Sequence, residues 1–312
     1  MFDIISVGAA TADIFIKSKT LLQSSRFLSL RRSSKNEVTD SLICSGGGAT
    51  NAATTFSRMG LNSAVVSLIG DDPLSEYVIA DLKKEKINTQ FLVTGKHDDT
   101  DFSVILVASD GTRSILTNRG QTRLETKNIP WSKLKTNWLY LTSLEGNLGL
   151  LEELIGYAKE NDIKISFNPG LRELQQRREL MPLLKHLNFL LLNRTEAEIL
   201  ADTNHKNPLF WDKLKKISPI VAVTDGRLGA KVLTPTDTYF SPIINVHAID
   251  ETGAGDAFGS AFIAGLVYNH SLPECLNWGI RNSASVVSSF GAKPGILNLK
   301  QINNSEFVIS NS

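Results

Sequence analysis

Cysteine is nearly absent: only Cys44 and Cys275 occur among 312 residues, and they form no paired motif. That excludes a disulfide framework or a structural zinc finger and fits a reduced, cytoplasmic protein. The five histidines show no metal-ligand spacing. An excess of one charge is also missing. Lys and Arg number 33 against 32 Asp and Glu, a formal net charge of +1, so there is no basic footprint for nucleic acid. The short clusters RFLSLRR (26–32) and LKKEK (82–86) read as solvated faces. No apolar run suits a membrane span, and MFDIISVGAA lacks the basic region of a signal peptide, so it reads as a first buried strand. There is no internal repeat, low-complexity tract or linker. No Walker A loop occurs, and no complete G-x-G-x-x-G follows a strand. At 42% hydrophobic and 21% charged, the chain suits one large α/β domain with an appendage, or two modest domains.

What is present is an alternation. Short β-branched or aliphatic runs at 3–8, 62–70, 137–143, 163–170, 187–193 and 217–226 read as buried strands. Helical patterns over 50–59, 148–160, 195–201 and 208–216 lie among them. Such alternation predicts a mainly parallel sheet covered on both faces. Two regions break it. Residues 12–44 alternate at period two in places with Ser-rich joints, and 101–120 reads as a hairpin around Ser109-Asp110-Gly111. Both suit half-exposed strands, either a small β layer covering a cleft or a pair of surface hairpins. The last residues, NSEFVISNS, read as a fraying end.

The stretch DETGAGDAFGSAFIAGLV (250–267) follows a strand-like approach, INVHAID. Thr252-Gly253-Ala254-Gly255 supplies a turn almost without side-chain bulk, and Asp256 is expected to begin a helix. Glycines let backbone N–H groups converge, and a helix N-terminus adds unpaired donors and positive partial charge, which together make an anion hole. A carboxylate beside an anion site needs a task. Asp256 either accepts the proton of a hydroxyl that attacks a phosphate, or simply caps the helix.

Other segments accompany this one in order: GAATADIFIK with Asp13, SGGGATNAATTFSRMG with Asn51, LNRTEAEIL with Asn193 and Glu196, and VTDGRLGAKV. Together they resemble the signature segments of the PfkB family of carbohydrate kinases, over nearly the whole chain up to FGAKPG (290–295). SLEGN, FNPGLREL and NRTEAE are similar to stretches of ribokinase-type members. The resemblance implies a single ribokinase-like domain over 1–312. This is a three-layer α/β sandwich with a mainly parallel central sheet, plus a small β lid from about 13–45 and 95–120. It also implies transfer of the γ-phosphoryl group of ATP, with Mg²⁺, to a hydroxyl of a small sugar. A nucleoside kinase of the adenosine type, or a silent sugar sensor on the same fold, are the alternatives.

The implied roles are specific. Asp256 is the general base, with Gly253, Ala254 and Gly255 as the anion hole. Asp13, Gly46, Gly47, Asn51 and Glu145 meet the substrate. Asn193 and Glu196 lie near the phosphates and Mg²⁺, Thr224 and Gly226 line the nucleotide, and Asn282 lies near the adenine. Asp250, Thr252 and Gly291 form a K⁺ site. Arg113 and Arg119 are either free surface charges or ligands for a phosphate already on the substrate. The lid is also a candidate dimer clasp. Two positions depart from the family pattern: Glu251, where a small residue or threonine is common, and Gly48, where ribokinases carry lysine. The first bears on the cation and the second on ribose as substrate.

Overall fold

A computed structural model of the protein describes residues 1–24, 26–95, 99–108, 112–120 and 123–304. Its strands are β1 (Phe2–Val7), β2 (Thr11–Lys17), β3 (Leu22–Gln23), β4 (Leu28–Ser29), β5 (Asp40–Gly46), β6 (Ser63–Ile69), β7 (Leu92–Thr94), β8 (Phe102–Val107), β9 (Arg113–Asn118), β10 (Thr136–Leu141), β11 (Lys164–Phe167), β12 (Phe189–Asn193), β13 (Val221–Thr224), β14 (Ala230–Leu233) and β15 (Thr238–Ser241). Its helices are α1 (Gly48–Arg58), α2 (Pro73–Lys84), α3 (Leu148–Glu160), α4 (Leu171–Leu174), α5 (Arg177–Leu184), α6 (Arg194–Ala201), α7 (Phe210–Leu214), α8 (Ala254–Val267), α9 (Leu272–Val287) and α10 (Leu299–Asn303).

Nine strands form the large sheet in the order β15-β14-β13-β12-β11-β10-β1-β6-β7. All pairings are parallel except those of β14 and β15 at one edge. The central strands read as continuous apolar runs because both faces are covered; every residue of β6 is buried. Along β1, Ile5 and Val7 face the core shared with α3, α5, α6 and α7, while Ile4 faces the core shared with α1, α8 and α9. This is the expected three-layer sandwich. Gly259 lets α8 lie against the sheet, since a Cβ there would stand 2.4 Å from Leu191 Cδ2.

A second sheet, ordered β5-β2-β8-β9, stands apart from the first. Its β2–β8 pairing is parallel and the other two are antiparallel. Register puts Asp13, Ser103 and Thr117 in one row on its inner face, and Ile43, Ile14, Val104 and Leu116 in one row on its outer face. Ile43 and Leu116 are exposed. The turn at 109–111 and the final residues 305–312 lie outside the described residues.

Several boundaries differ from the sequence reading. INVHAID is an extended loop rather than a strand. It follows β15, the edge strand of the large sheet, and pairs with none of the described strands. α1 starts two residues earlier than expected, at Gly48, and α7 is shorter than the 208–216 pattern. Residues 73–84 and 272–287 carry no assignment in the sequence reading, yet they form α2 and α9. Both carry a proline in the first turn; Asp72 and Ser75 cap each other reciprocally, and Glu274 Oε2 accepts from Ser271 N and Oγ at 2.8 and 2.6 Å.

Candidate active site

Asp256 is not the first residue of its helix. α8 begins at Ala254, with Gly253 as the N-cap at φ 78° and no side-chain cap. Glycine is required there: a Cβ would lie 2.7 Å from that of Ala292, and the left-handed φ disfavours other residues. Asp256 is therefore the third helical residue, and the capping alternative does not hold. The amides of Gly255 and Asp256 belong to the first turn, which leaves them without intrahelical carbonyls. Nothing lies within 4 Å of a Cβ built on Gly255, so this end of the helix is open.

Asp250 shapes the turn from behind. Its Oδ1 accepts from Thr252 N at 2.9 Å and Thr252 Oγ1 at 2.6 Å, and its Oδ2 accepts from Gly291 N at 3.1 Å. The three residues expected at a K⁺ site are thus brought together. The carboxylate, however, serves the loop's own donors. Glu251, the unusual residue, pairs with Arg113 of the small sheet at 3.7 Å.

Asp256 Oδ2 accepts from Asn51 Nδ2 at 2.9 Å. Burial pushes the Asp256 carboxyl above its ordinary range, and the Asn51 bond and the charge of Lys293 oppose that rise. Asn51 was expected to meet the substrate. Instead its amide holds Asp256, its Oδ1 is buried without a partner, and it is not among the residues lining the cavity.

That cavity holds about 280 Å³ between the small sheet and the C-terminal ends of the parallel strands, with Asp256 in its wall. Ala9, Thr142 and Asn168 line it just beyond β1, β10 and β11. Asp13, Ser103 and Thr117 face it from the small sheet. Asp13 is 7% exposed, and its Oδ1 accepts from Thr11 Oγ1 at 2.9 Å. Desolvation raises its pKa. The glycine cluster fits around these groups. A Cβ on Gly46 would fall 1.9 Å from Asp13 Oδ2, and Gly47 has φ 86°. At Gly48 a Cβ would meet Thr142 Cγ2 at 2.9 Å. Thr142 thus takes up the space that a side chain at position 48 would enter.

Glu145 also lines the cavity, at φ 57°. Its two oxygens are ion-paired, Oε1 with Arg119 at 2.6 Å and Oε2 with Arg172 at 3.0 Å. Arg119 lines the cavity, whereas Arg113 does not. Neither arginine is a free surface charge. Sequence reasoning missed Glu173, which is fully buried. It accepts from the amides of Leu144, Gly146 and Gly170 at 2.7, 2.9 and 2.9 Å and so fixes two loops of the cavity wall. Its position in FNPGLREL was visible, but its partners lie 3 to 29 positions away in sequence.

Toward the large sheet's other strands, Asn193 and Thr224 are register partners at the ends of β12 and β13. Asn193 Oδ1 accepts from Glu196 N at 3.0 Å, and Glu196 Oε2 accepts from Asn193 N at 2.8 Å, a reciprocal capping box. Burial raises the pKa of Glu196, and the charge of Asp256 adds to this. Gly226, at φ 49°, has nothing within 4 Å of a built Cβ. Asn282 departs from expectation. It is fully buried, its Nδ2 donating to Ala257 O and its Oδ1 accepting from Leu297 N, both at 2.9 Å. Both ends of its amide are engaged in tying α8 to α9 and the loop beyond, so it is not free to meet an adenine.

A parallel sheet with a cavity at its C-terminal edge, an open helix N-terminus and a carboxylate in that helix's first turn define a phosphotransferase class of site. The chain belongs to the pfkB family of carbohydrate kinases, whose model matches residues 1–298. It is 26% identical over 255 residues to the ribokinase of Bacillus subtilis strain 168, covering 80% of this chain and 84% of that one. Its fold matches the nucleoside kinase of Methanocaldococcus jannaschii with a TM-score of 0.79 at 22% identity, covering 97% of both chains. It also matches a putative ribokinase II of E. coli in complex with ATP and Mg²⁺, TM-score 0.82 at 18% identity, covering 97% of this chain and 98% of that one. The protein is a kinase with an alcohol group as acceptor, and ATP and Mg²⁺ are the donor and metal typical of its family.

Proposed function

We propose that this kinase phosphorylates a hydroxyl of a small neutral sugar, with Asp256 as general base and the Gly253-Ala254-Gly255 turn as anion hole. The observation that carries this is the shared cavity: Asp13 and Asp256 line the same space of about 280 Å³. A sugar held by Asp13 can there present a hydroxyl to Asp256. Asp13 offers two carboxylate oxygens, suited to a pair of hydroxyls. Asp256 removes the proton as the oxygen attacks, and the amides of the first α8 turn stabilise the migrating phosphoryl group.

The residues present fit a nucleotide. Gly255 and Gly226 leave open space where side chains would stand, Asn193 and Thr224 end β12 and β13, and Glu196 lies in the first turn of α6. Among the described residues no cluster of three or more His, Cys, Asp or Glu could hold a metal. Asn193 and Glu196 would hold Mg²⁺ through its water shell when nucleotide is bound. When bound, it neutralises phosphate charge. Asp250, Thr252 and Gly291, joined through the Asp250 carboxylate, are the residues that would hold K⁺.

A free sugar is favoured over a nucleoside because no described residue lining the cavity is aromatic; Pro169 and Ala9 are its only apolar residues besides glycine. A purine calls for a stacking slot. Among the described lining residues Arg119 is the one arginine, and it is paired with Glu145, which favours an uncharged substrate. A silent sensor is disfavoured by the intact Asp256 and its turn. The test is a screen of neutral sugars, phosphosugars and nucleosides read as ADP release from Mg·ATP. A neutral pentose or hexose should give at least tenfold the kcat/KM of adenosine. A nucleoside at the top would replace this reading with its alternative.

The outer row of the small sheet supports a dimer as well. Ile43 and Leu116 are 47% and 61% exposed and flank Ile14 and Val104 in one apolar row. Sedimentation should then give twice the 34.2 kDa of one chain, with Leu116→Asp returning it to one; a wild-type monomer would remove the dimer reading.

A further inference from the structure

One charged side chain is buried between the two halves of the site and has no part in the chemistry above. Lys293 is 3% exposed. Lysine is rarely buried, and removing its charge from water is costly unless it is paired. Its Nζ donates to Ser45 Oγ and lies 3.8 Å from Asp81 Oδ2. Asp81 in turn accepts from Ser45 N at 2.9 Å and Ser45 Oγ at 2.6 Å, so the three form a chain from lysine through serine to carboxylate.

The two ends of this chain matter more than its middle. Ala292, next to Lys293, packs against Gly253 of the anion turn. Ser45 precedes Gly46, which lies directly against the Asp13 carboxylate. The backbone that carries the lysine is itself held: Arg58 donates to Lys293 O at 2.8 Å and Ile296 O at 2.9 Å, and pairs with Glu85 at 2.6 Å. We propose that Lys293 is a positioning residue for phosphoryl transfer, a buried cationic strut that fixes the sugar cradle at Ser45–Gly46 relative to the anion turn at Gly253. The inference rests on the assignment of Asp13 and Asp256 to the reaction.

Its charge has a second consequence. The groups facing the lysine are Asp81, Glu85, the Cys44 thiol and Asp13. Those facing Asp256 are Asn51, Lys293, Tyr140 and Glu196, with Asp13 across the cavity. The carboxylates of Asp13 and Asp256 oppose each other's ionisation, and Lys293 favours ionisation of both. Loss of the cation therefore makes Asp256 harder to deprotonate.

The test compares Lys293→Met and Ser45→Ala with wild type over a pH series. The acceptor is D-ribose or the best neutral sugar of the screen, and folding is checked by circular dichroism. In Lys293→Met the acid limb of kcat/KM should move upward by about half a pH unit or more, and kcat/KM at neutral pH should fall by about tenfold. The KM for ATP should stay within about twofold. Ser45→Ala keeps the cation and breaks the link, so the sugar KM should rise by about threefold with little movement of the limb. A folded Lys293→Met with an unmoved limb and an unchanged sugar KM would overturn the proposal. Should that variant not fold, an unchanged sugar KM in Ser45→Ala overturns it instead. Normal turnover in Asp256→Asn would overturn the general-base assignment itself, a separate result from either of these.

Discussion

Asp256→Asn is expected to lower kcat by roughly 10³-fold, within the span lost when a general base is removed. The substitution is nearly isosteric, and asparagine can still accept from Asn51 Nδ2, which now holds Asp256 Oδ2 at 2.9 Å. Sugar binding, followed by calorimetry, should persist, because Asp13 and the glycine cluster are untouched. The wild-type pH profile should carry the same signature. Burial raises the Asp256 pKa, and the base works only when ionised, so kcat/KM should fall with acid at a pH above the ordinary aspartate range. The residual activity of the variant should lack that limb. Stability should move the other way. A carboxyl whose folded pKa is raised stabilises the fold only below its unfolded pKa of about 3.9, and that contribution is lost as pH rises through the folded value. At neutral pH the ionised group therefore weighs against folding, and Asp256→Asn should raise Tm by about 1–3 °C. A variant with near-normal turnover would remove Asp256 as the base.

Asp13→Ala is expected to cost about 10²–10³-fold in kcat/KM for the sugar, with the KM for ATP nearly unchanged. Each hydrogen bond to a charged group contributes about 1.5–3 kcal/mol, and two such bonds to adjacent hydroxyls account for a loss of that size. Asp13→Asn should lose less, about 10²-fold, since it retains one acceptor oxygen and the contact with Thr11. The split between substrates is the diagnostic part. Asp13 lines the cavity from the small sheet whereas Thr224 and Gly226 do not line it, so a variant that loses ATP and sugar affinity equally would contradict the proposed separation of the two substrates.

The layered fold was largely legible because the signals are local. Buried parallel strands such as 63–69 are continuous apolar runs, and α3 shows its apolar period across 148–160 within the chain itself. The loop before Asp250 was misread as a strand because strand character at an edge depends on a neighbour, and no neighbour is there to see in a sequence. α2 and α9 do carry local start signals, at Asp72 with Pro73 and at Ser271 with Pro273.

The site divides in the same way. The roles proposed for Asp256, Gly253 and Asp13 rest on a motif in each one's own segment, since steric demands on a glycine or a short turn leave a local mark. The partner of Asp256 was not readable: Asn51 lies 205 positions away and was assigned to the sugar. Asn282 was assigned to adenine, yet its amide closes two buried backbone bonds. Lys293 carries no mark of its role in its own segment, because its partner Ser45 lies 248 positions distant. The chain by itself determined the family and the order of layers, and it singled out Asp256 as the proposed base, since these follow from short-range pattern. Only the tertiary structure decided which polar groups face the cavity and which are closed off by one another. Burial and hydrogen-bond pairing arise between segments remote in sequence, and no window along the chain contains both partners.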